Sequence, residues 1–138
     1  MKQVCARLLA AALTIVLAAC ATTAAPDCVA GQQAAVMDQL YFGTGRPHGP
    51  DVTPQEWSRF VSEEIAPRFP QGFSLLETQG QWRNADGSIA HEQTHLLQLV
   101  HPDDAASGQA VRQIAERYKT RFEQEAVLRV RSTACTSL

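Results

Sequence analysis

The sequence predicts an α+β domain of the ferredoxin-like type. This is a βαββαβ chain folded as a two-layer sandwich, with an antiparallel four-stranded sheet and two helices on one face. Three observations predict it. Stretches with a two-residue apolar period alternate with stretches of helical period in the order β-α-β-β-α-β. Each helix-like stretch has one apolar stripe and each strand-like stretch roughly one apolar side, which a two-layer packing buries together. The cysteines Cys28 and Cys135 flank the first and last strands, which are antiparallel neighbours in this topology.

The elements follow in order. Val36–Gly43 alternates, with Val36, Leu40 and Phe42 on one side and Asp38 as the one polar exception among them. A loop with three glycines and two prolines comes next and carries Arg46 and His48. Thr53-Pro54-Gln55-Glu56 is a helix start, with Thr as N-cap, Pro at the first helical position and Glu at N3. Trp57, Phe60, Val61, Glu64 and Ile65 then recur at helical spacing, and Pro67 and Pro70 end the helix. Phe73–Arg83 is the second strand, and Asn84-Ala85-Asp86-Gly87 turns it back into Ile89–His101. Asp103 or Asp104 caps a second helix with Val111, Ile114, Ala115, Tyr118 and Phe122 on its apolar stripe. In the last strand, Ala126–Ala134, Leu128 and Val130 share one side and Arg129 and Arg131 the other.

The remainder of the chain is an address. Residues 1–19 read as an export signal, with Lys2 and Arg7 ahead of the apolar run Leu8–Ala19. Leu17-Ala18-Ala19-Cys20 resembles the lipobox of bacterial lipoproteins, which implies cleavage before Cys20 and acylation of its thiol, as with palmitate. Residues 20–33 then form the lipidated N-terminus and tether, and 34–138 one domain. The expected location is the bacterial cell envelope, and with Ala21 after Cys20, the outer membrane facing the periplasm in a Gram-negative source. Cleavage removes two of the twelve basic residues and no acidic one, so the formal charge becomes more negative than −2. That balance excludes a nucleic-acid partner, which calls for a basic surplus. Cys5 leaves with the signal and Cys20 takes lipid, so Cys28 and Cys135 remain as one structural disulfide in an oxidising compartment. Closing a loop of about 107 residues, it is worth about 4–5 kcal/mol in the chain-entropy model.

One motif competes with this fold. His91-Glu92-Gln93-Thr94-His95, extended by His101, is similar to the zinc-binding signature of metzincin proteases, in which three histidines hold the metal and Glu is the general base. That chemistry needs a helix under His91 and His95. The hairpin turn before the segment predicts a strand instead, which would separate the two by about 13 Å. The family's Gly is Gln98 here, and no methionine follows to form the turn below the metal. The primary expectation is therefore no metal and no cofactor, with zinc on His91, His95 and His101 as the alternative.

Several separated motifs carry a broader resemblance. LYFG (Leu40–Gly43), the W-x-x-F of Trp57 and Phe60, PRFPQG (Pro67–Gly72), GQWR (Gly80–Arg83), Glu92 and YKTRFEQEAVL (Tyr118–Leu128) occur in order. Together they resemble the family known as domain of unknown function 3574, found in bacterial secreted proteins and lipoproteins. The resemblance implies a compact domain and assigns no reaction; Glu92 belongs to its pattern, while His91 and His95 do not.

Functionally, these residues predict a non-enzymatic binding or interaction domain tethered by acylated Cys20. Its uncovered sheet face, expected to show Gln39, Tyr41, Arg129 and Arg131, would take a protein or small-molecule ligand. Trp82 and Arg83 are candidates to stack on and hydrogen-bond that ligand. Glu92 is a candidate base or ion-pair partner, neutralised by Arg83, Arg129 or Arg131. The competing expectations are a small dimeric ferredoxin-like enzyme, with a pocket enclosed between two sheets of a homodimer, and the zinc hydrolase.

Overall fold

The computed structural model describes residues 27–138; the export segment 1–19 and Cys20 lie outside them. The described chain runs β1 (Gln33–Gly43), α1 (Pro54–Phe60) continued by a π turn (Val61–Ile65), β2 (Ser74–Arg83), β3 (Ile89–His101), α2 (Ala105–Phe122) and β4 (Leu128–Thr136). The strands form one antiparallel sheet in the order β2-β3-β1-β4, the ferredoxin-like arrangement. Among the described residues, no helix is long and apolar enough to cross a membrane.

Local chemistry sets the helix ends. Thr53 and Glu56 form the expected capping box: the Thr53 hydroxyl accepts from Glu56 N, and Glu56 Oε2 accepts from Thr53 N at 2.9 Å. The helix then widens, with Ala66 N donating to Val61 O at 2.9 Å, five residues back. The wide turn brings Phe60 and Ile65 onto one side, and both are fully buried. Asp104, rather than Asp103, caps α2 by accepting from Ser107 N at 2.7 Å.

One face of the sheet meets both helices. Leu40, Phe42, Leu97 and Leu99 pack there against Trp57, Phe60, Ile65, Val111, Ile114, Tyr118 and Phe122. Four aromatic rings cluster at its centre, with Phe42 and Tyr118 centroids 4.7 Å apart. The other face is uncovered. Residues directly opposite in antiparallel pairs point the same way, so the register assigns every side chain to a face.

By that criterion β4 sits in the opposite phase to the sequence reading. Arg129 pairs with Leu40 and Arg131 with Asp38, so both arginines lie on the helix side. Leu128 and Val130 are the residues on the open face, 46% and 44% exposed. The open face thus displays Gln39 and Tyr41, as expected, without Arg129 or Arg131.

The reason is Asp38. It is fully buried on the helix side and accepts from Arg129 Nε at 2.7 Å, Arg129 Nη2 at 2.6 Å and His101 Nε2 at 2.8 Å. A buried carboxylate requires cations on its own face, and that requirement overrides the apolar alternation of a short edge strand.

Cys28 and Cys135 are bonded, with an S–S distance of 2.02 Å and Cα atoms 5.6 Å apart. The bond ties the chain ahead of β1 to the end of β4, so residues 28–33 are held by the domain rather than by the tether alone.

Candidate functional site

The uncovered face carries a cleft of about 790 Å³ at the end where β1 finishes and β4 begins. Its floor is built around Glu92 of β3, and two glycines make room for its carboxylate. Gly80 sits directly across from Glu92 on β2. Gly43 and Gly45 lie against the carboxylate itself. A Cβ on Gly43 would stand 2.4 Å from Glu92 Oε1, and one on Gly45 3.0 Å from Oε2. The carboxylate fits because Gly43 and Gly45 have no side chains.

The segment that cradles Glu92 is fixed from several sides. Tyr118 OH donates to Gly43 O at 2.8 Å, and the Gln124 amide donates to Gly45 O. Thr44 N and its hydroxyl donate to Gln93 O at 3.1 and 3.0 Å. Gly45 N is thereby aimed at Glu92 Oε2, which accepts from it at 2.8 Å. Burial of the Tyr118 ring, with the charges of Glu92 and Glu56 adding to it, holds the phenol proton well above the usual range. Tyr118 is therefore a fixed donor rather than an acid–base group. Glu123 closes α2 in the left-handed region at φ 56°, uncommon for a residue with a side chain, and turns Gln124 towards the cradle.

Around the rim stand Tyr41, Thr78, Trp82, Thr94 and Leu128, with the charged residues Arg46, Asp86, Glu123 and Glu125. Arg46 is ion-paired: Nη2 donates to Glu56 Oε1 at 2.7 Å, and the guanidinium lies 5.3 Å over the Phe122 ring, its buried Nε being without a partner among the described residues. The Arg46 bond, together with bonds from Thr53 N and its hydroxyl, draws the Glu56 carboxyl down to about 2.

The structure brings two of the expected site residues together and separates the rest. Trp82 and Glu92 both line the cleft, Trp82 being 38% exposed. Arg83, one residue on in the strand, points to the other face, where Nη1 reaches Gly87 O at 3.4 Å. Arg129 is taken by Asp38, and Arg131 pairs with Asp103. None of the three arginines neutralises Glu92. Among the described residues its carboxylate has one hydrogen-bond donor, Gly45 N.

Ile89–His101 is a strand, so the histidine motif lacks the helix that zinc ligation requires. His91, His95 and His101 share a face, yet their surroundings differ. His91 is exposed. The His95 ring stacks on Trp57, centroids 4.3 Å apart and planes 3° off parallel. Burial lowers its pKa, against the pull of Glu77, whose Oε1 lies 3.0 Å from Nδ1 but outside hydrogen-bond geometry. His101 faces Asp38 on one nitrogen and Pro102 O, at 2.7 Å, on the other. Among the described residues no three histidine, cysteine or acidic side chains converge as a metal site would need.

The glycines and Gln124 are not among the site residues that the sequence alone suggests. Their signal is present all the same: Gly43, Gly80, Glu92 and Gln124 fall within the motifs LYFG, GQWR, HEQTH and YKTRFEQEAVL.

A family model described as protein of unknown function (DUF3574) matches residues 37–138. The chain belongs to that family. No curated protein matches the sequence. Among solved structures, the DUF3574 chain is similar to a phage SAM lyase in complex with S-methyl-5'-thioadenosine. The two share 14% identity with a TM-score of 0.58, over 82% of this chain and 95% of the lyase. It is also similar to CutA from Synechococcus elongatus PCC7942 complexed with a Bis-Tris molecule. That match has 12% identity and a TM-score of 0.50, over 78% of this chain and 88% of CutA. At these identities the likeness establishes the fold.

Proposed function

We propose that this DUF3574 chain is a cell-envelope lipoprotein whose domain binds a small molecule in the open-face cleft. One observation carries the binding reading. Segments far apart in sequence that carry the family resemblance meet at this cleft: Gly43 of LYFG, Gly80–Trp82 of GQWR, Glu92, and Glu123–Ala126 with Leu128. A cleft of about 790 Å³ falls within the range of small-ligand sites.

The lipobox carries the anchoring reading, and the disulfide supports an oxidising compartment. With Cys28 fixed to β4, eight peptide steps separate it from an acylated Cys20, a reach of at most about 28 Å. The disulfide lies where β1 begins, and the cleft where β1 ends. A lipid anchor would therefore hold the domain with its cleft facing away from the membrane.

A second reading has its own observation. Leu76, Leu96, Tyr41 and Leu128 form an apolar row across all four strands, flanked by Gln98, Gln39 and Val130 without a charged side chain. Such a face suits a second copy of the chain, consistent with a homodimer.

Two measurements test the main reading. Radiolabelled palmitate should enter the wild-type chain in a bacterial host and be lost with Cys20→Ala. A small-molecule fragment screen read by protein NMR should shift the Gly43, Gly45, Gly80 and Trp82 resonances together. Hits confined to the helix side would overturn the cleft as the binding site.

A further inference from the structure

Resting on the cleft reading above, we infer that the ligand is a small organic cation whose charged head sits against Glu92. The argument begins with charge balance. Glu92 is half-buried on the cleft floor, with one backbone N–H at 2.8 Å on Oε2. Every arginine near enough in sequence or register to offset it is used elsewhere. Arg46 binds Glu56, Arg83 reaches Gly87 O, Arg129 binds Asp38 and Arg131 binds Asp103. A carboxylate drawn partly out of water and given a single neutral donor has unmet demand for positive charge.

The surroundings favour the same sign. Of the other charged residues on the lining, Asp86, Glu123 and Glu125 are acidic, and Arg46 is matched by Glu56. A concave site lined by one sign of charge concentrates ions of the other. The walls then select the kind of cation. One carboxylate without converging ligands is a poor site for a hard metal ion, which needs several oxygen donors at once. The indole of Trp82 and the phenol of Tyr41, both on the lining, suit a diffuse ammonium carried on a carbon frame. Gly80, directly across from Glu92, presents no side chain on the β2 side of the carboxylate, while Gly43 and Gly45 let it rest against the backbone.

The test compares each cation with its uncharged isostere. Choline is titrated against dimethylbutanol, and phenethylamine against phenylethanol, into the mature domain at low salt. The Gly45 and Gly80 amide resonances report binding. Choline and phenethylamine should each bind about tenfold or more tightly than the isostere, more weakly as salt rises. Glu92→Gln keeps an acceptor for Gly45 N–H, so its amide spectrum should stay folded while the charge preference disappears. Equal binding within both pairs would overturn the inference, as would no binding by either cation or a preference that survives Glu92→Gln. Neutral fragments still mapping to the cleft would show that the binding site stands and only its charge selectivity was misassigned.

Discussion

Asp38 and Glu92 sit on neighbouring strands of one sheet, and the protein treats their carboxylates in opposite ways. Asp38 is on the helix side, fully buried, with three donors from two potential cations. The two ring nitrogens of His101 face Asp38 Oδ2 and Pro102 O, at 2.8 and 2.7 Å. Glu92 is on the open side, cradled by glycines, with one backbone donor and no cation. The first arrangement uses its charge for cohesion among β1, β3 and β4. The second leaves its charge available. The difference separates a carboxylate that holds the sheet together from one placed to meet something else.

The largest effect expected from this comparison is at Asp38. Asp38→Ala leaves Arg129 and His101 facing each other without the anion between them, and breaking a buried pair in this way costs about 3–5 kcal/mol. Urea unfolding measures it. Glu92→Ala should cost under about 1 kcal/mol, since it removes a single hydrogen bond. Equal losses would end the distinction.

Acid titration sharpens the same contrast. Burial alone would raise the Asp38 pKa, but the hydrogen bonds and charges of Arg129 and His101 outweigh it and hold the carboxyl below its ordinary value of 3.8. A group whose folded pKa is depressed adds stability above its unfolded pKa and loses it as pH falls through the folded value. Stability should therefore drop as pH falls below 3.8. Asp38→Asn should flatten part of that slope; Glu56, Asp86 and Asp104, also held low, supply the rest. Unfolding free energies measured across this range for wild type and Asp38→Asn give the result directly.

Asp38 also shows where the sequence was legible and where it was not. Element order followed from periodicity and caps, because each signal is local: the Thr53 box, the Asp104 cap, and the hairpin turn in which Gly87 takes φ 87°. The family was legible for the same reason, since its motifs are short and ordered along the chain. The phase of β4 is not a local property. Leu128 and Val130 alternate with Arg129 and Arg131, and alternation alone cannot say which set turns inward. The lone Asp in the apolar stripe of β1 was the deciding signal, once its need for a cation is weighed. The cleft was half legible. Trp82 and Glu92 announced themselves by chemistry, but the seat of the Glu92 carboxylate depends on Gly43 and Gly45, nearly fifty positions upstream and brought beside it only by the pairing of β1 with β3. The segment around HEQTH was ambiguous because Ile89, Leu96, Leu97 and Val100 also suit a helix face, and only strand pairing with β1 and β2 resolves it.

The cradle offers a smaller and more specific test. Gly43→Ala places a Cβ against Glu92 Oε1, where the distance of 2.4 Å is too short to persist, so the carboxylate must shift or β1 must bend. Overpacking of this kind costs about 1–3 kcal/mol. Combining it with Glu92→Ala removes the clashing group, so the double variant should recover about 1 kcal/mol relative to the sum of the singles. Simple additivity would mean that Gly43 is required by its backbone and that the Glu92 carboxylate does not rest against it in solution.

The smallest expected effect discriminates most sharply between the two carboxylates. Glu92→Gln preserves the shape of the side chain and an oxygen for Gly45 N–H, and it breaks no ion pair among the described residues. Its unfolding free energy should lie within about 0.5 kcal/mol of wild type, as for substitutions that disturb no buried network. A gain in stability would be the more telling result, because it would mean the folded domain bears a cost for holding an uncompensated anion at the cleft floor. A loss as large as that of Asp38→Asn would mean that Glu92 is neutralised after all and that its charge serves the fold. Thermal unfolding of Glu92→Gln beside Asp38→Asn at neutral pH therefore decides whether the sheet has one structural carboxylate or two.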